Sequence, residues 1–250
     1  MPMSPRLLRP RAAGGFNPKT ISGLVGWYDA SSTSSITRDG NGKVQTWADI
    51  SGAATVRNAT QSTSGSRPAY TSAGLNGKNV VTFDGSSSFM SFTGVSRTDE
   101  TLVAVCSASV VASVNKQNPL VGDASNGFGL NASIAGNASP VTYNAFFDAG
   151  GSVNLVTRSL VTGETVSPFP AVLSVARNAA ESWSLRRNGA VVGSTASTSS
   201  AVTLARFGSS GGLRLNGFLA EVLIWDRKLS ASELATVERA LGRKWGIAVS

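Results

Sequence analysis

Histidine is absent from these 250 residues, which removes the side chain that most often serves as general base and metal ligand. Acid–base work therefore falls to 14 carboxylates, and their spacing suits it poorly. Two carboxyl groups that flank a scissile glycosidic bond from one strand must be two residues apart, because alternate side chains share a face. Asp99 and Glu100 are neighbours, and Glu221 and Asp226 are five apart, so both pairs have the wrong parity. Only a dyad assembled from distant strands is left open. A serine nucleophile finds neither a base nor a Gly-x-Ser-x-Gly elbow. No glycine-rich phosphate loop opens a helix. Cys106, the one cysteine, lies in the apolar run Leu102-Val103-Ala104-Val105-Cys106 and reads as a buried, inert thiol. The chain reads as non-enzymatic.

Binding chemistry has more support. Asp84, Asp123, Asn126 and Asp148 are oxygen donors of the type that hold calcium. Asp84 precedes Gly85 and reads first as a turn residue, and the loop 122–129 has few carboxylates. No cofactor is expected, with Asp84 and Asp123 as the calcium candidates. A sugar stacks on an exposed ring and hydrogen-bonds to amide and carboxylate oxygens. The tryptophans at 27, 47, 183, 225 and 245 fall in strand or helix patterns and read as core. Asp123, Asn126, Phe128 and Tyr143 are better placed for exposure and form the candidate glycan-contact set.

Charge is unevenly placed. The formal charge is +8, and Arg6, Arg9, Arg11 and Lys19 all precede the first acid, Asp29. Pro2, Pro5, Pro10 and Pro18 block a regular helix there, and Gly14-Gly15 supply a hinge. Residues 1–20 thus read as an extended basic arm that anchors on a partner surface, and residues 21–250 as one domain. No aromatic–basic stripe suggests nucleic acid, and no apolar run suggests a signal peptide or a membrane span.

The elements that must position these groups are short strands between turn residues. Runs near 23–29, 43–47, 79–83, 89–92 and 101–108 have strand character, and the last is almost continuously apolar, as a strand covered on both faces requires. Residues 142–147, 152–157 and 171–176 follow. Residues 182–186 and 190–193 flank Asn188-Gly189, the pair a type I′ hairpin favours. Strands at 204–208 and 218–225 precede one helix, which Ser230-Ala231-Ser232-Glu233 opens as a capping box. Leu234, Val237, Leu241 and Trp245 share one face of it. The expected fold is an all-β, two-sheet antiparallel sandwich with a short C-terminal helix.

These segments together resemble the laminin-G-like, concanavalin A-like jelly-roll family, as found in bacteriophage structural proteins and bacterial surface proteins. Gly-Leu-Val-Gly-Trp-Tyr-Asp-Ala-Ser (23–31), Val-Gln-Thr-Trp-Ala-Asp-Ile-Ser-Gly (44–52) and Leu-Asn-Gly-Lys-Asn-Val-Val-Thr-Phe-Asp-Gly (75–85) carry the likeness. So do Asn58-Ala59-Thr60-Gln61, Arg67-Pro68-Ala69-Tyr70, Arg187-Asn188-Gly189 and the segment from Leu215 to Ser230. The resemblance covers about residues 21–247 and implies that opening and closing segments pair within one domain. It implies a structural protein of a virion: a head decoration protein, a head fibre or a tail-associated module. Other virion proteins, further copies of this chain with a trimer as the expected arrangement, and host surface glycans are the implied partners. The alternative is a carbohydrate-binding or adhesion module of a bacterial surface, and thus extracellular, protein.

Overall fold

The apolar run through Cys106 lies at the centre of the computed structural model, which describes residues 15–111, 116–122, 129–134, 140–147, 151–159, 165–166, 170–180, 183–195, 201–210 and 212–250. The strand Glu100–Ala108 is buried along its whole length. Leu102, Ala104, Cys106 and Ala108 point into one apolar core, Val103 and Val105 into another. This alternation divides the molecule into three layers, two sheets and a helix.

Glu100–Ala108 pairs antiparallel with Ala171–Arg177 on one side and Asn216–Trp225 on the other. Beyond Ala171–Arg177 the sheet continues into the hairpin of Trp183–Arg187 and Ala190–Thr195. Asn188 and Gly189 at its tip have φ of 51° and 87°, the positive values that a type I′ turn needs. On the other side the first part of Asn216–Trp225 pairs with Lys78–Asp84, which pairs with Ala69–Leu75. Its second part takes the opening strand Leu24–Asp29, with Trp27 opposite Leu223 and Asp29 opposite Glu221. The two ends of the chain therefore share one sheet.

The second sheet runs in the order Gly151–Ser159, Pro140–Phe147, Gly129–Ile134, Lys116–Gly122, Val202–Phe207, Met90–Arg97, Ala59–Thr60, Val44–Trp47, Ile36–Arg38. Sequence reading passes over the strands Ala69–Leu75, Lys116–Gly122 and Gly129–Ile134; the first two lack a period-2 apolar pattern, and the third has only the short alternation of Leu130, Ala132 and Ile134. Between the sheets, Tyr28 meets Trp47, Phe92 and Phe207 with ring centroids 4.7–5.9 Å apart. The Tyr28 hydroxyl donates to the Arg57 carbonyl at 2.5 Å, whereas the Trp47 indole N–H is buried without an acceptor among the described residues.

The helix Ala231–Trp245 covers the outer face of the first sheet. Both halves of its capping box form, with the Glu233 amide on Ser230 Oγ at 3.3 Å and the Ser230 amide on Glu233 Oε2 at 2.9 Å. Leu234, Val237, Leu241 and Trp245 pack with Val103, Val105, Leu223 and Trp225. Burial of each such side chain contributes about 1.5–3 kcal/mol. Polar latches add registry: buried Glu238 accepts from the Ser174 hydroxyl and from Nε and Nη2 of Arg186. Within the segment read as an arm, Phe16 packs on this core, Pro18 is buried, and Asn17 caps the short turn Pro18–Thr20.

Candidate functional site

Two neighbouring rows of residues cross the second sheet, and they differ completely in chemistry. Ile36 stands opposite Trp47, Trp47 opposite Ala59, Met90 opposite Phe207 and Phe207 opposite Val121. All of these pack in the core between the sheets. One position along, Thr37, Thr46, Thr60, Ser91 and Arg206 stand in consecutive register on five strands. The pleat turns this second row outward.

A groove of about 510 Å³ opens over that row. Thr46, Thr60, Ser91 and Arg206 form its length, Gln45 and Phe89 flank it, and residues 61–63 form a wall. The wall is held rigidly. Gln61 is buried, donates from Nε2 to the Phe89 carbonyl at 3.1 Å and accepts from the Thr63 amide at 3.1 Å. Arg67 donates to the Gln61 carbonyl at 2.9 Å and the Ser62 carbonyl at 2.8 Å, while its Nη1 pairs with Asp39 at 2.9 Å. That guanidinium holds the Asp39 carboxyl below the usual range. At the other wall, the guanidiniums of Arg206 and Arg214 lie 5.3 and 4.9 Å from the centroid of the Phe89 ring. The turn after Val202–Phe207 requires glycine at 208: its φ is +72°, and a Cβ there would strike the ring of the core residue Phe83. The chain can then fold back through Ser209–Ser210 and Leu213–Arg214 to return Arg214 to Phe89.

A second cleft, of about 340 Å³, lies between Phe16, Pro18 and Trp27 and the helix residues Leu241 and Lys244. Its floor is Glu221, which is 1% exposed. Glu221 Oε1 accepts from the Trp27 indole at 2.8 Å. Oε2 accepts from the Trp245 indole at 2.7 Å and from Lys244 Nζ at 2.6 Å. Lys244 also reaches Asp29 Oδ2 at 2.6 Å, and Asp29 Oδ1 takes the amide and hydroxyl of Ser31. Burial and the nearby Asp29 push the Glu221 carboxyl up, against the pull of Lys244. Distant strands do bring two carboxylates together here, but an ammonium and two indoles occupy them. The arrangement is a staple between opening strand, closing strand and helix.

The residues singled out from sequence are scattered. Asp123, Asn126 and Phe128 lie outside the described residues, as do Arg6, Arg9 and Arg11. Tyr143 sits on Pro140–Phe147, opposite Ala132 and Leu155. Asp84 is a turn organiser: its oxygens accept from the amides of Ser86, Ser87 and Ser88 and the hydroxyls of Ser87 and Ser88, which hold its carboxyl far below the usual range. Among the described residues no three metal-ligating side chains gather. Lys19 lies over the Trp27 ring at 5.9 Å. Trp47, Trp225 and Trp245 are core residues, whereas Trp27 is half-buried and lines the second cleft. Thr60, Gln61, Phe89, Ser91 and Arg206 were not anticipated as a site. The only sequence signal was parity, which turns Thr60 and Ser91 outward but does not make them neighbours.

No protein-family model matches the chain, and no curated protein matches its sequence. Solved structures do share its fold. The sialidase of Trypanosoma rangeli in complex with sialic acid is similar at 15% identity and a TM-score of 0.52, over 90% of this chain and 33% of that one. Domain 4 of an extracellular arabinanase from Geobacillus stearothermophilus, in complex with arabinotriose, is similar at 14% identity and a TM-score of 0.51. There the match covers 86% of this chain and 98% of that domain. The binding domain of a Paraclostridial mosquitocidal protein is similar at 14% identity and a TM-score of 0.51, over 90% and 55%. The chain thus spans about a third of the sialidase chains it matches and nearly all of the arabinanase domain. By fold, the chain belongs with these antiparallel β-sandwiches.

Proposed function

We propose that the chain is a non-catalytic carbohydrate-binding module, with the outward groove over Thr46, Thr60, Ser91 and Arg206 as its binding face. The observation that carries this reading is the chemical state of the groove. Hydroxyls, two amides, a guanidinium and one aromatic ring line a channel of about 510 Å³ on a rigid sheet. That is the complement of a sugar chain, which offers hydroxyls at its rim and apolar C–H faces to a ring. The fold supports it too, since the similar arabinanase domain was solved with arabinotriose. Catalysis is left out because the one carboxylate pair described here, Asp29 with Glu221, is tied to Lys244.

Display on a larger assembly is part of the same reading, with the basic stretch of Arg6, Arg9, Arg11 and Lys19 as the attachment segment. A bacterial surface or extracellular setting is favoured by the extracellular arabinanase neighbour. A place on a virion, as decoration, fibre or tail module, rests on the sequence resemblance alone.

A glycan array probed with the full chain, with and without calcium, tests the binding function. Retention by at least one glycan, abolished in Ser91→Phe at unchanged melting temperature, is the expected result. Retention that survives Ser91→Phe places the site elsewhere, and no retention by any glycan overturns the reading.

A further inference from the structure

Three arginines stand around the groove, and their charges differ in fate. Arg67 is neutralised by Asp39 at 2.9 Å and ties down the wall loop. Arg214 donates Nη1 to Ser209 Oγ at 2.8 Å and the Leu213 carbonyl at 2.9 Å. Its Nε is buried without an acceptor. Arg206 is half-buried in the groove and, among the described residues, its described contact is the face of Phe89 at 5.3 Å. Neither Arg206 nor Arg214 has a carboxylate within ion-pair distance among the described residues, although they share one ring. Among the described residues that line the groove none is a carboxylate.

Two cations on one aromatic ring repel each other unless an anion joins them. Arg67 at the wall, and Arg177, Arg186 and Arg227 away from the groove, each have an acidic partner, at 2.7–3.3 Å. Arg206 is set apart by its place: it lines an open groove and shares its ring with a second guanidinium. A guanidinium presents parallel N–H donors that match a planar carboxylate in a bidentate pair, and its stacking on Phe89 fixes the plane of the fork. We propose that this groove selects acidic saccharides, glycan chains whose sugars carry a carboxylate, with Arg206 pairing to the carboxylate and the Thr46–Thr60–Ser91 row taking ring hydroxyls. This rests on the carbohydrate-binding reading above and names its ligand class.

The test uses the full chain and immobilised polyuronates, with galacturonan, glucuronan and mannuronan each paired to its carboxyl-reduced, neutral counterpart, and a sulfated glycan alongside. At least one acid polymer should bind ten-fold or more tightly than its reduced form. Arg206→Gln should bring binding of the acid polymer down to the level of its reduced form, with the melting temperature unchanged. Arg206→Lys, a point charge without the fork, should restore less than half of the preference. Equal binding of acid and reduced polymers overturns the selectivity while leaving a glycan site in place. Equal binding of the sulfated glycan, lost with rising salt, also overturns it, since bulk positive charge then suffices. Binding of none of these polymers, reduced forms included, overturns both readings.

Discussion

The groove on the second sheet and the Glu221 cleft beside the helix contain similar groups in opposite states. Each has aromatic rings, a basic side chain and oxygen acceptors. At Glu221, two indoles and an ammonium fill the carboxylate, and the ammonium reaches on to Asp29. In the groove, the hydroxyls of Thr46, Thr60 and Ser91 and the guanidinium of Arg206 point over open volume. A buried polar cluster that satisfies itself holds strands and helix in place. A polar row that leaves its donors unsatisfied, on an equally rigid frame, has capacity for a ligand. The number of ionisable groups does not distinguish the two sites; whether their hydrogen-bonding capacity is already taken does.

Removing the carboxylate from the filled cluster should produce the largest effect. Glu221→Ala would leave the Trp245 indole, which is fully buried, without an acceptor and Lys244 with Asp29 alone. Loss of one partner of such a pair costs about 3 kcal/mol here, because Lys244 reaches solvent and recovers some hydration. Thermal unfolding should fall by roughly 10 °C, while glycan retention at temperatures well below the transition stays unchanged. A fall in retention matching the fall in stability would mean that the two regions are one functional unit.

A pH effect is expected from the buried acids, and it spreads over several pH units. Glu100 faces Arg177 across two paired strands at 3.3 Å, and neither side chain is exposed. Burial pushes the Glu100 carboxyl up to about 8, with Arg177 opposing the rise. Glu221 moves in the same direction. Between the unfolded value of about 4.3 and a folded value near 8, the folded chain binds more protons than the unfolded one. Stability therefore falls as pH rises through that window, by up to about 1.4 kcal/mol per pH unit for one such group. Glu233, lowered to about 2 by Arg227, and Asp84 act with the opposite sign, since their stabilisation is present above about pH 4 and is lost below it. Denaturant unfolding should show a maximum near about pH 4–5, and Glu100→Gln should flatten its alkaline side. A wild-type profile that rises from about pH 5 to 8 would show that both buried acids are ionised at no cost.

The filled regions were the more legible ones in sequence. The capping box at Ser230 and Glu233, the Asn188-Gly189 turn and the doubly covered run around Val103 and Ala104 are each set by residues within one or two turns of chain. Local sterics and hydrogen bonding decide them. The Asp29–Glu221 pair was not legible, because parity within a strand says nothing about which strand lies alongside. It exists because Leu24–Asp29 docks on the closing strand. The groove was less legible still. Thr46, Thr60, Ser91 and Arg206 come from four strands that lie side by side, yet 14, 31 and 115 residues separate each from the next in the chain, so nothing local sets their pairing. The expectation centred on 122–129 followed composition, an Asx- and glycine-rich loop, whereas the groove's capacity comes from register.

Single hydroxyls of that row should produce the smallest effect and the cleanest separation. Thr60 is exposed at the middle of the groove, between Thr46 and Ser91 in register, and no hydrogen bond of its side chain is described. Thr60→Ala removes a donor that serves no described partner, so stability should change by less than about 0.5 kcal/mol. One neutral hydrogen bond to a sugar hydroxyl is worth about 1 kcal/mol, so glycan affinity should fall by roughly five-fold. Thr71, whose hydroxyl lies 2.7 Å from that of Thr82 on the first sheet, is the control, and Thr71→Ala should leave affinity unchanged. Isothermal titration of both variants, with denaturant melts alongside, measures the two quantities independently. A loss of affinity that is equal for the two would mean that the outward row is no more a binding surface than any other threonine-bearing strand.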